Sequence, residues 1–159
     1  MNVYDQMQII RYKSKDFFDS YNLGNISTFI HGILFSNNCN DNSDKFDVKY
    51  LRYFNWFVNY KLLKMKISKE VAEDLSYNNG RGFAQLIPVV ESNNEKQIDL
   101  FYSLLDEFKT LALEDYDFTP IVRRFDKYDD EIYKLSLVKI REINVKTNFL
   151  SIFSIIKRK

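Results

Sequence analysis

The sequence predicts a mainly α fold: one compact helical domain spanning residues 1–159, closed by a small C-terminal β hairpin. Three observations lead there. Apolar residues recur at spacings of three and four through most of the first 113 positions, which is the period of one helix face. Only two prolines, Pro88 and Pro120, interrupt the pattern, and both fall at boundaries between patterned segments. Apolar residues are 45% and charged residues 28% of the chain, too apolar for a disordered polymer and too charged for a membrane bundle.

The first strong helix is read after Gly24, with Asn25 as N-cap and Ile26, Phe29, Ile30, Ile33 and Leu34 on one face. The polar run Ser36 to Ser43 reads as the loop that ends it. A second helix, from about Asp47 to Lys64, carries Val48, Leu51, Phe54, Val58 and Leu62 in one stripe, widened by Trp56 and Phe57. Such a wide apolar face needs cover on nearly half its surface, which places the helix centrally. Ser68 to Leu75 is a short helix, and Asn78-Asn79-Gly80-Arg81-Gly82 is a turn. Phe83, Leu86 and Ile87 form another short helix, which Pro88 helps to end.

Ser92-Asn93-Asn94-Glu95 has the spacing of a capping box, in which serine and glutamate satisfy free N–H groups at a helix start. Behind it Ile98, Phe101, Leu105, Phe108 and Ala112 form a seam, so a helix runs from about 93 to 113, with Asp99, Asp106 and Glu107 facing away. After Pro120 the helical period weakens. Tyr133, Leu135, Leu137, Val138, Ile140 and Val145 alternate in part like strands, and Phe149 to Ile156 pairs back across residues 144–148. An amphipathic helix fits those last residues nearly as well.

Charge is segregated along the chain although the net value is only +1. Residues 91–117 hold eight acidic side chains against two basic ones, whereas residues 118–159 hold ten basic against five acidic. The acidic block comprises Glu91, Glu95, Asp99, Asp106, Glu107, Glu114, Asp115 and Asp117. A field of that sign draws a basic partner and repels nucleic acid, although such runs are more often no more than a solvated helix face.

Chemical motifs are sparse. One histidine, His31, and one cysteine, Cys39, leave no disulfide framework and no zinc site built mainly from those residues. They lack the surroundings of a Cys-His catalytic pair and receive no role. Glu114-Asp115-Tyr116-Asp117 and Asp129-Asp130-Glu131 lack the spacing of an EF-hand loop. Gly80-Arg81-Gly82 lacks the third glycine of a dinucleotide fingerprint and the Gly-Lys-Ser/Thr of a phosphate loop. The expectation is therefore a protein that is not an enzyme, with no metal, no cofactor and no small-molecule substrate. The opening residues lack the basic and apolar regions of a secretory signal, and the longest apolar run falls well short of the roughly 20 residues of a membrane helix, so a cytoplasmic location without membrane attachment is expected.

Several segments, taken together, resemble a family of small bacterial immunity proteins from polymorphic-toxin and contact-dependent growth-inhibition systems. The carrying residues are Tyr21 with Gly24-Asn25-Ile26-Ser27, Phe29-Ile30-His31-Gly32, Phe54-Asn55-Trp56-Phe57-Val58, Gly82-Phe83 with Leu86-Ile87, and Glu95 before Ile98 to Phe108. They cover about residues 16–110. The resemblance implies a stoichiometric inhibitor of one cognate toxin C-terminal domain, without catalysis or cofactor. A cytoplasmic inhibitor meets a cytoplasm-acting toxin, for which a nuclease is the expected class. The basic substrate groove of a nuclease would be complemented by the acidic block, which makes Asp99, Asp106, Glu107, Glu114, Asp115 and Asp117 the expected partner-binding residues. Two other classes fit the charges. A nucleic-acid-binding accessory protein would use the basic C-terminal third, including Arg123, Arg124, Lys127 and Lys157-Arg158-Lys159. An adaptor would use an exposed aromatic patch.

Overall fold

A computed structural model describes residues 1–39, 44–76 and 80–125. The chain falls into two compact units, Met1–Val122 and Arg123–Lys159. The first unit holds the core helices. It is helical, and no strand occurs among the described residues. The expected C-terminal hairpin lies outside them.

Helix α1 (Val3–Tyr12) begins where the Asn2 side chain accepts a 3.0 Å hydrogen bond from the backbone N–H of Asp5. It buries Val3, Met7 and Ile10, which the spacing of four and three places on one face. A single turn, α2 (Ser14–Phe17), leads toward α3 (Leu23–Cys39). The cap of α3 is Asn22, whose side-chain oxygen accepts the N–H of Asn25 at 3.0 Å, so Asn25 stands inside the helix rather than at its start. The same helix continues through Ser36 to Cys39, where the sequence suggests a loop. Asn37 Nδ2 donates to Asp47 Oδ2 at 2.8 Å, a tertiary bond that gives this polar segment a partner within the fold.

Helix α4 (Lys45–Leu62) is capped by Asp44, which accepts the N–H of Asp47 at 2.9 Å. Its buried stripe runs Phe46, Tyr50, Phe54, Phe57, Val58 and Leu62. Val48 and Leu51, expected in that stripe, are 55% and 57% exposed. The helix is turned so that the aromatic residues, which remove more apolar surface from water, take the inner face. Helix α5 (Lys69–Ser76) buries Leu75, whose carbonyl accepts a 2.9 Å bond from the buried Asn59 side chain. Helix α6 (Phe83–Val90) includes Pro88 and ends three residues after Ile87, with the Glu91 N–H still returning to the Ile87 carbonyl at 3.1 Å.

Helix α7 (Asn94–Leu113) packs on α3, α4 and α6. Every residue of its expected seam is buried: Ile98, Phe101, Leu105, Phe108 and Ala112. The cap sits one residue later than the sequence spacing suggests. Asn93 accepts the N–H of Lys96 at 3.0 Å, and Glu91 rather than Glu95 accepts the Asn93 N–H, at 2.9 Å. Phe108 lies at the centre of the core. Its ring stands 5.9 Å from Phe46, 5.3 Å from Phe54, 5.4 Å from Phe57 and 4.7 Å from Phe118, spacings at which aromatic rings attract one another. No helix among the described residues is long and apolar enough to cross a membrane.

Candidate partner-binding face

The side of α7 opposite the seam carries Asp99, Ser103, Asp106 and Thr110 at spacings of four, three and four, which sets them in one line along the helix. Glu107 flanks that line, and Glu114, Asp115 and Asp117 follow beyond Leu113. Three of the six expected residues thus share the outer side of one helix, and the other three lie at and just past its C-terminus.

Their environments differ. Asp106 is bound into α1: its Oδ1 accepts from Tyr4 Oη at 3.0 Å and Gln8 Nε2 at 3.1 Å, while Oδ2 accepts from Arg11 Nη1 at 3.1 Å. Tyr4, Gln8 and Arg11 stand four and three residues apart on one face of α1, and no sequence motif marks them. Burial and then the hydrogen bond to Asp106 push the Tyr4 hydroxyl above its ordinary pKa. Arg11 also lies 4.8 Å above the ring of Tyr102, whose hydroxyl donates to the Met7 carbonyl at 3.2 Å and accepts from Tyr21 at 2.6 Å. Burial, then that contact with Tyr21, holds the Tyr102 hydroxyl well above the usual range.

Glu107 pairs with Lys61 of α4 at 2.6 Å. Lys49 donates both to the Ala112 carbonyl and to Asp115, each at 2.7 Å, placing a cation on the last turn of α7, where free carbonyls gather negative charge. The Lys49 hydrogen bond, then its charge, draws the Asp115 carboxyl below its ordinary pKa. Asp115 adopts a left-handed backbone, φ 53°, as the chain turns off the helix. Asp117 accepts the N–H of Thr119 at 2.9 Å and so starts the next helical segment. Asp99 and Glu114 are exposed and make no ion pair among the described residues.

The acidic side is therefore a banded surface. Carboxylates run along α7, with Arg11 on one edge and Lys61 and Lys49 on the other. The three ion pairs all stay in reach of water, with carboxylate exposures of 41%, 43% and 89%. The Arg11–Asp106 and Lys61–Glu107 pairs are of the kind that contributes about 0–1 kcal/mol each.

His31 and Cys39 lie on the same helix, eight residues and roughly 12 Å of rise apart, too far for direct proton transfer. Among the described residues no group of three His, Cys, Asp or Glu side chains converges where a metal ion could be held. No family model matches the chain, and no curated protein or solved structure matches it.

Proposed function

We propose that the protein is an immunity protein that binds one cognate, cytoplasm-acting toxin domain stoichiometrically, a nuclease in class, through the acidic outer side of α7. The observation that carries this reading is the line of carboxylates on that helix. Asp99 and Glu114 are unpaired among the described residues, Glu107 is held by a partly exposed pair, and Asp106, bound by Tyr4, Gln8 and Arg11, still keeps part of its carboxylate in water. A surface of that kind meets a basic groove without desolvating a buried charge. It also accelerates encounter by long-range attraction.

The sequence resemblance supplies the class of partner, and the geometry of α7 supports the mode of contact. The test is co-expression with the C-terminal domain of the upstream neighbouring gene's product. Growth rescue together with a one-to-one complex on co-purification is the expected result; toxicity without rescue contradicts the proposal.

A further inference from the structure

Helix α3 carries no Lys, Arg, Asp or Glu in any of its 17 residues, in a chain of which 28% is charged. Its inner face is Leu23, Ile26, Ile30, Ile33 and Leu34, all buried. The opposite face lies in solvent: Thr28, His31, Gly32, Phe35, Ser36 and Cys39 are all exposed, Phe35 by 73%. An outward helix face is ordinarily where a globular protein keeps its charges, and their depletion marks the centre of a protein interface.

The relief of this face suits one particular partner. A groove of about 480 Å³ runs beside Gly32, lined by Thr28, Phe29, Ile33 and Ser36 with Gln6 of α1, and a Cβ placed on Gly32 would meet nothing within 4 Å. Three residues on, Phe35 projects. Helical geometry sets the two positions roughly 60° and 4.5 Å apart, so a knob and a hollow stand side by side. An antiparallel second copy, related by a two-fold axis midway between them, meets Phe35 with Gly32 in both directions. The same axis sets His31 against Ser36 and Thr28 against Cys39, so each of these exposed residues finds its opposite on the same face. Two-fold contact brings a patch against itself, and any charge near the axis would meet its like. An uncharged face escapes that repulsion and offers a basic or acidic partner nothing to pair with.

We propose that α3 is a self-association surface: two copies pack α3 against α3, antiparallel, with Phe35 of each seated at Gly32 of the other. The face contains no residue of α7, so the inference goes beyond the proposed function and does not rest on it. One pair of helices about 25 Å long is small beside the roughly 800 Å² per partner of a stable complex, which sets the expected dissociation constant at roughly 10–100 μM.

The test is sedimentation equilibrium of the full reduced chain across that range, where wild type should follow a monomer–dimer equilibrium. Phe35→Glu should weaken the dimer at least tenfold and leave the melting temperature of dilute monomer unchanged. Gly32→Gln should weaken it at least tenfold while raising that melting temperature, because glutamine is the better helix former and enters open space. Incubation with oxidised glutathione reads the register. Thr28→Cys should form a covalent dimer through Cys39 of the second copy, since the two positions are separated by roughly 16 Å of helical rise and cannot pair within one chain. Wild type, whose Cys39 faces Thr28, should stay unlinked. A chain that is monomeric throughout, dimers that both surface variants leave intact, or linking of wild type as readily as of Thr28→Cys overturns the assignment.

Discussion

The fully buried carboxyl of Asp47 accepts a 2.8 Å hydrogen bond from the backbone N–H of Val3, 44 residues earlier in the chain. Its second oxygen accepts from Asn37 at 2.8 Å. One side chain thereby joins the start of α1, the last turn of α3 and the first turn of α4, and it presents negative charge density to the N-terminus of α1. Asp47→Ala strands two donors at once. Each stranded group costs about 1–3 kcal/mol, so a loss of about 3 kcal/mol or more is expected in urea unfolding. Asp47→Asn keeps an acceptor for Val3 and should lose less. Equal stabilities for wild type and Asp47→Ala would show that the three helices do not depend on this junction.

Asp106 differs from its neighbours on α7 because three donors of α1 converge on it. Asp106→Lys removes those bonds and sets a cation beside Arg11. It should lower the unfolding free energy by about 1–2 kcal/mol, as expected for hydrogen bonds of a partly buried charged group. Asp99→Lys and Glu114→Lys disturb no such contact and should stay within about 0.5 kcal/mol of wild type. Thermal melts of the single variants check the contrast, and a silent Asp106→Lys would contradict it.

Tyr50→Phe should be neutral or stabilising by up to about 1 kcal/mol. The ring stacks on Phe54 with centroids 4.5 Å apart and is retained, while a buried hydroxyl without a partner is removed. A urea midpoint that falls by more than the error of the experiment would mean that the hydroxyl is satisfied in solution.

Asp44 predicts a dependence on pH. Burial raises its carboxyl, but the backbone N–H of Asp47, the Asn2 side chain and the backbone N–H of Phe46 outweigh burial, so the folded-state pKa lies below the ordinary value. With the folded pKa depressed, the unfolded chain binds more protons in acid. The contribution is complete above about pH 4 and is lost as pH falls through the folded pKa. Asp44→Asn keeps a capping oxygen and removes the titration. Wild type should lose stability relative to Asp44→Asn between about pH 4 and pH 2; parallel curves would contradict the prediction.

How far the sequence reveals this fold depends on how local the deciding interaction is. The seam of α7 is written in its own spacing, and all five of its residues are buried. Val3, Met7 and Ile10 carry the same kind of signal for α1, compressed into ten residues. The turning of α4 is different: Val48 and Leu51 are as apolar as a core stripe requires, but the competing line through Phe46, Tyr50 and Phe54 reaches the aromatic cluster of Phe108. The polar run at the end of α3 is helical because Asn37 has a partner on another helix, information no local window holds. In the candidate face the carboxylates of α7 are legible from their spacing. The cations beside them are not, because Arg11, Lys61 and Lys49 come from 95, 46 and 66 residues away from the acids they pair with.

The most direct measurement is the association rate of the toxin domain with wild type and with the Asp99→Lys/Glu114→Lys double variant, at low and high salt, by stopped flow. The acidic-face account predicts that the double variant associates at least about tenfold more slowly at low salt and loses most of its salt dependence, with an unchanged melting temperature. Equal rates and equal salt slopes for the two proteins would contradict the assignment of this surface to the partner.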